Sequence, residues 1–387
     1  MRRLDSGSFV VLAHGVAEAP PASGLIEYLL ARGAGRVTTL FYPLSPEAGR
    51  QREVTLFEGG RLVHRRAWSL PGYPPWSYPL DVLWPPVIRP GDVWFAFNNL
   101  LASRGLLERR LGRTRKVVYW AVDFVPDRFG TGRVGGLMTR LYDGLDARCC
   151  RQADLRIDLS TSALEGREQR HGLAPGEGAP SLVTPIGVWI DRVPTTDAEA
   201  WRRKRLVFMG HLVERMGCET MIAAVAALLE RGFDVTADIV GRGPSEEQLR
   251  ASVARRGLGE RLRFHGFVPD HRDLERILAQ GSIAVAPYST GVASFTRYAD
   301  PGKLKSYLAA GLPIVLTDVP PNARELADLA GAEVVEDNPR SFADAIQRVL
   351  ETPPEWSRRR ALALAYAKQF DWNALIPPVL HAVGFES

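Results

Sequence analysis

Residues 283–317 constrain the fold more than any other stretch of the chain. Ile283–Pro287 is an apolar run stopped by proline, which predicts a buried parallel strand ending at the ligand edge of a sheet. A polar loop containing Gly291 follows, and Asp300-Pro301 predicts a helix start, with a carboxylate at the N-cap and proline at the first helical position. The helix is expected to stop at Gly311, since glycine tolerates the left-handed position after a helix and Pro313 blocks continuation. Ile314–Thr317 supplies the next strand. This unit puts a helix N-terminus, and Lys303 with it, at the carboxyl edge of a parallel sheet. Free N–H groups and the positive dipole end there suit a phosphate.

Lysine usage sharpens the point. The chain holds 49 lysines and arginines, yet only Lys116, Lys204, Lys303, Lys305 and Lys368 are lysines. Two of them fall on the first turn of this one helix. A solvated helix face would account for Lys305 as readily as a ligand would; Lys303 is the better phosphate candidate.

A chain of 387 residues with 45% hydrophobic content can bury two cores, and 24% charged residues is a globular value. No apolar run approaches the roughly 20 residues that span a bilayer. The start, Met-Arg-Arg-Leu-Asp-Ser-Gly, lacks the apolar centre of a signal peptide. Cys149, Cys150 and Cys218 have no metal-site spacing and are expected to be reduced core thiols, so a cytoplasmic protein fits best. The basic excess is uneven. Residues 1–190 carry 24 Lys+Arg against 18 Asp+Glu, whereas residues 191–387 carry 25 against 26. Arg109, Arg110, Arg113, Arg115 and Lys116 make a basic cluster that would attract an anionic membrane surface or a pyrophosphate-linked lipid, peripherally on the inner membrane face. Nucleic acid is not expected, because no recognition motif accompanies the charge.

Along the first half, Phe9–Ala13 predicts a strand ending at His14-Gly15, followed by the loop Ala17–Gly24 and a helix. Val37–Tyr42, Asp92–Phe97, Lys116–Trp120 and Leu155–Leu159 predict further strands, while residues 53–80 give no clear order. Asp123 follows a buried strand directly, which places a carboxylate at a ligand edge; Asp127 comes next as a cap or partner of Arg128. Leu137, Leu141, Leu145 and Cys149 step by four, as the apolar face of a helix does. Residues 191–204 are polar and aperiodic and read as a linker. Strand and helix patterns then alternate from Arg205 onward, with Ser341 as the expected cap of a late helix. The expected division is residues 1–190, the linker 191–204, residues 205–365, and a terminal stretch 366–387.

The segment Lys303-Leu-Lys-Ser-Tyr-Leu-Ala-Ala-Gly-Leu-Pro-Ile-Val315 resembles the donor-binding segment of GT-B glycosyltransferases of the family 4 (group 1) type. Ala153-Asp154, Ser160 and Pro185-Ile186-Gly187-Val188 fall in the order that family uses. Phe370-Asp-Trp-Asn373 is similar to its closing helix, and the resemblance implies that the helix 366–387 crosses back to the N-terminal domain. The resemblance implies an α/β chain of two Rossmann-like domains facing across a cleft. Its activity would be hexosyl transfer from a nucleoside diphosphate sugar, needing no metal and no resident cofactor. The N-terminal domain would take the acceptor, a cell-surface or lipid-linked glycan or else a small secondary metabolite. Lys303 would meet the diphosphate. Gly210 and Gly241 would let the nucleotide approach the backbone, and the His265–Val268 loop, with Phe267 and Val268, would frame the base. Asp123 would act as base if the reaction inverts the sugar, or orient the acceptor if it retains, as most of the family does. His14 and Gly15 would line the acceptor side.

Three departures stand out. The family's phosphate arginine and lysine are replaced by His211 and Met216, with Arg215 as the nearest substitute. Its paired glutamates fall on Tyr298 and Ser306, so either another group such as Asp300 or Glu325 reaches the ribose or the donor is held differently. These changes leave open a nucleotide-sugar epimerase or a binding protein without turnover. An NAD-linked enzyme is disfavoured, because no dinucleotide glycine fingerprint is present.

Overall fold

The computed structural model describes all residues except 16–19, 45–48, 74–75, 84–89, 127, 131, 292–294 and 387, and leaves the side chains of Leu83 and Phe295 undescribed. Asp127 and part of the 17–24 loop therefore lie outside the described residues. The chain forms two units, Met1–Gly187 with Trp372–Ser387, and Val188–Asp371.

In the first unit, the two-residue strands β1 (Arg2–Arg3) and β16 (Phe385–Glu386) pair in parallel, joining the two ends of the chain. Its main sheet holds β2 (Ser8–His14), β3 (Arg36–Tyr42), β4 (Gln51–Glu58), β5 (Arg61–Ser69), β6 (Gly91–Ala96), β7 (Thr114–Ala121), β8 (Leu155–Asp158) and β9 (Ser181–Val183). The order is β5-β4-β3-β2-β6-β7-β8-β9, parallel from β3 to β9. The β4–β5 hairpin adds an antiparallel edge. It accounts for most of the stretch the sequence left unordered, turning at Gly59-Gly60 with both φ values positive (53° and 77°). The parallel order switches direction at β2/β6, so ligands are expected outside the carboxyl ends of those strands. Val10, Leu12, Leu40, Trp94, Val117 and Tyr119 fill the core beneath the helices. Trp372 is clamped between Gly24 and Gly187, where an added Cβ would stand 2.3 and 2.5 Å from its ring. Those two glycines hold the C-terminal helix Trp372–Ala382 in this unit.

The second unit is a six-stranded, all-parallel sheet of β10 (Arg205–Met209), β11 (Thr236–Val240), β12 (Leu262–Gly266), β13 (Ile283–Ala286), β14 (Ile314–Thr317) and β15 (Glu333–Val335). Its order is β12-β11-β10-β13-β14-β15, the doubly wound Rossmann arrangement with its switch point between β10 and β13. The inner strands β13 and β14 are apolar but for Thr317 because helices cover both faces. The expected linker is ordered: 3₁₀ turns at Ile190–Arg192 and Ala200–Arg203 belong to this unit, and Ala200 is part of its core.

Three local expectations are corrected. The helix Gly302–Ala309 has Pro301, not Asp300, as its N-cap, because the Asp300 carboxylate turns inward to pair with the Lys305 ammonium. The helix Pro339–Glu351 is capped by Asn338, whose side chain accepts from the Ser341 amide, so Ser341 lies inside it. In the helix Arg133–Gln152, Leu137 and Leu141 are 59% and 63% exposed, and the four-step apolar face is buried only toward Cys149. Ser160 does cap its helix, accepting from the Ala163 amide at 3.0 Å. The three cysteines are free and buried.

Candidate functional site

At the switch point of the second unit, β10 ends at Met209 and the chain turns through Gly210 with φ +155°. Gly241, after β11, has φ +131°, and a Cβ there would stand 1.9 Å from the Gly210 carbonyl oxygen. Gly217 is equally constrained: its Cβ would meet the Pro287 carbonyl at 1.6 Å. These glycines are therefore demanded by loop against loop, before any ligand enters the argument. Lys303, half-buried in the first turn of its helix, extends its ammonium into this corner. The Nζ lies 4.2 Å from the centre of the Tyr288 ring, 4.8 Å from that of Phe208 and 4.0 Å from Met216 Sδ. Among the described residues it forms no ion pair. Burial pushes it down to about 7.

The other donor-side candidates are spread around this edge. Arg215 lies half-buried in the turn Glu214–Met216, with its carbonyl accepting from the Ser289 amide at 3.0 Å. Phe267, 67% exposed, and the half-buried Val268 follow β12. Tyr298 and Ser306 are half-buried. Asp300 is buried as the counter-charge of Lys305, so its carboxylate is committed inside the unit rather than presented to a ribose. Glu325 is exposed and accepts from the Tyr366 hydroxyl. Gly210, Gly241 and Lys303 come together; Phe267 and Glu325 do not join that contact group. Sequence reasoning missed Phe208, Tyr288 and Met216 as the wall around the ammonium. The signal for Met216 was its place where the family carries a lysine.

The first unit has its own cavity of about 470 Å³ at the carboxyl edge of β2, β6 and β7, lined by His14, Gly15, Asn98, Asp123, Arg128 and Tyr142 among others. Asp123 follows β7, is 53% exposed, and approaches Arg128 at 3.8 Å. Its main-chain oxygen accepts from the buried Arg167 at 3.0 Å, which fixes the loop's position. His14 lines the cavity, but both ring nitrogens are taken. Asn98 accepts the Leu101 amide through Oδ1, so its amide nitrogen faces His14 Nδ1 at 2.8 Å. That makes Nδ1 the acceptor and leaves Nε2–H to donate to Asp81, 3.3 Å away, which Arg52 also holds. His14 is thus a wall residue with both ring nitrogens hydrogen-bonded. Gly15, with φ +145°, donates its amide to the Tyr42 carbonyl.

Among the described residues, Asp146, Cys150 and His171 place three potential ligand atoms within 4.8 Å of one another. The Arg167 guanidinium lies on the same Asp146 oxygen that His171 contacts, at 2.5 Å. A cation would be repelled there, and the group reads as a buried ion-pair network.

Residues 203–352 match the family described as glycosyl transferases group 1. The matched stretch makes up most of the second unit and includes Lys303. The chain is 29% identical over 182 residues to a GDP-mannose-dependent α-(1-6)-phosphatidylinositol dimannoside mannosyltransferase of Mycobacterium tuberculosis, covering 46% of this chain and 43% of that protein. It is 28% identical over 227 residues to the phosphatidyl-myo-inositol mannosyltransferase of Mycolicibacterium smegmatis, covering 57% of this chain and 55% of that one. The chain thus spans about half the length of the curated relatives it matches. An α-D-kanosaminyltransferase of Streptomyces kanamyceticus is 28% identical over 39% of this chain and 37% of its own. Among solved structures, the sucrose-phosphate synthase of Thermosynechococcus elongatus superposes with a TM-score of 0.71 at 16% identity, covering 96% of this chain and 97% of that one. HepE of Anabaena, solved with UDP and glucose, gives 0.67 at 16% identity over 97% and 99%. The fold is GT-B, with two Rossmann-like α/β units, and Lys303 stands at the switch point of the second, inside the stretch that matches the family.

Proposed function

We propose that this chain transfers a hexose from a nucleoside diphosphate sugar to an acceptor hydroxyl, with the donor on the second unit and the acceptor in the first unit's cavity. One observation carries the reading: an ammonium with no carboxylate partner among the described residues stands at the switch point of the second unit, inside the stretch that matches the group 1 glycosyltransferases. As the bond from the anomeric carbon to the diphosphate oxygen breaks, its electron pair leaves with the diphosphate. A protonated Lys303 stabilises that growing charge. The acceptor oxygen bonds to the anomeric carbon, and its proton goes to the departing phosphate if configuration is retained, the outcome we favour. Asp123 takes it if configuration inverts. The reading requires no metal and no resident cofactor.

The phosphatidylinositol-directed relatives support a glycan or lipid-linked acceptor, and with it we propose peripheral association with the inner face of a membrane. The kanosaminyltransferase similarity supports a small secondary metabolite as the second reading. Melting curves with UDP, GDP and ADP, each in excess EDTA, test the donor site. One nucleotide should stabilise the protein and lose its effect with Lys303→Ala. Stabilisation that survives this substitution defeats the assignment, and a requirement for added metal defeats the metal-free chemistry. An epimerase would isomerise donor sugar without acceptor, and a binding protein would show no turnover.

A further inference from the structure

The helix Arg133–Gln152 carries an apolar stripe that no described residue of its unit covers. Val134, Leu137 and Leu141 are 72%, 59% and 63% exposed, at spacings of three and four that stack them on one face. Arg133 and Arg140, seven residues apart and both exposed, run alongside. No exposed carboxylate interrupts them. Asp143 is partly buried and paired with Arg170 at 2.8 Å. The helix is held in this attitude from beneath: a Cβ on Gly135 would stand 2.2 Å from the Phe129 carbonyl, and the Phe129 and Tyr142 rings meet edge-on at 5.8 Å. Tyr142, the next residue after Leu141, lines the first unit's cavity, so the helix that carries the stripe also supplies part of the cavity's wall.

We propose that this face docks on a lipid bilayer with anionic headgroups, the leucines and valine entering the interface and the two arginines meeting phosphates. An apolar stripe with cations beside it and acids absent matches that partner. A second copy of the chain would set Arg133 and Arg140 against their own kind. The basic cluster expected at residues 109–116 is a poorer surface, since Arg109 is paired with Asp154, Arg113 with Glu108 and Arg115 with Asp92. The inference rests on the lipid-linked acceptor reading for its purpose, yet its test needs no turnover.

Flotation with phosphatidylcholine vesicles, alone or with three-tenths phosphatidylglycerol, is the measurement. The protein should bind the anionic vesicles, and Leu137→Asp/Leu141→Asp or Arg133→Glu/Arg140→Glu should each weaken binding about tenfold or more. Both pairs are exposed, so melting temperature and its nucleotide-induced shift should stay unchanged, which separates this proposal from the donor site. No binding to anionic vesicles, or equal binding by both variants, overturns it. So does a wild-type dimer in size-exclusion chromatography that the leucine variant converts to monomer, because the stripe would then face a second copy.

Discussion

Lys303 should take up a proton when a nucleoside diphosphate binds. In the free protein burial lowers it from 10.5 to about 7. Two phosphate charges at contact distance would raise it again, since an opposite charge favours the ammonium. At pH 8 the free side chain is then about one-tenth protonated and the bound one almost fully, giving uptake of about 0.9 proton per diphosphate. The terminal phosphate, with a second pKa of about 6, is already a dianion there and releases none. Affinity should accordingly fall about fivefold between pH 7 and pH 8. Titration calorimetry at pH 8 in two buffers of different ionisation enthalpy reads the uptake directly, with Lys303→Met as the control. The same group sets a stability slope. Its folded value lies below its unfolded one, so its cost is fully present below pH 7 and vanishes as pH rises toward 10.5. That cost is on the order of 2–4 kcal/mol once partial exposure is discounted, and Lys303→Met should stabilise the unliganded protein by a similar amount at pH 7. Identical apparent enthalpies in the two buffers, or uptake that persists in Lys303→Met, would refute the assignment of the ammonium to the diphosphate.

Three further outcomes follow from particular contacts. Asp123→Asn should lower kcat about 10²- to 10⁴-fold if the carboxylate takes the acceptor proton, and change stability by no more than about 0.5 kcal/mol because the side chain is half exposed. Lys305→Met should destabilise the second unit by about 3–5 kcal/mol in urea, because it takes away the ammonium that offsets the buried Asp300 charge, and Asp300→Asn added to it should recover much of that loss. Gly241→Ala should destabilise by about 2 kcal/mol or more, because its Cβ would overlap the Gly210 carbonyl and φ is positive, whereas Gly259→Ala, with open space around it, should change little.

What the sequence made legible was the grammar of single elements. The proline stop, Gly311 and Pro313 located the helix of Lys303 and the strand after it, because these signals act through the local backbone. Gly311 has φ +72° at the helix end, as a glycine C′ requires. The helix's start was misjudged because Asp300 had two uses open to it, an N-cap or a partner for Lys305, and only packing decides between them. Residues 53–80 hid a hairpin although Gly59-Gly60 signalled its turn, since β5 is exposed nearly throughout and lacks the alternation that marks a half-buried strand. The Arg52–Asp81–His14 network joins residues 29 and 67 positions apart, beyond any spacing rule. Leu137 and Leu141 show the reverse limit: periodicity defines an apolar face but not what, if anything, covers it.

The divergent donor loop and the low pKa of Lys303 have one physical explanation. Where the family carries a second cation the chain has Met216, whose sulfur lies 4.0 Å from the Lys303 nitrogen. Two ammonium groups at about 4 Å would repel by roughly 4 kcal/mol at an effective dielectric of about 20, which would drive one of them to neutrality. A thioether removes that repulsion and, with Phe208 and Tyr288, removes water as well. A single charge in such surroundings is harder to keep protonated and acts more strongly on an anion once it is. The chain sets one cation against an apolar wall where the resemblance implies a second cation beside it. The consequence is a donor site whose strength depends on pH near neutrality, and Met216→Lys should make Lys303 still harder to protonate rather than restore a stronger phosphate clamp.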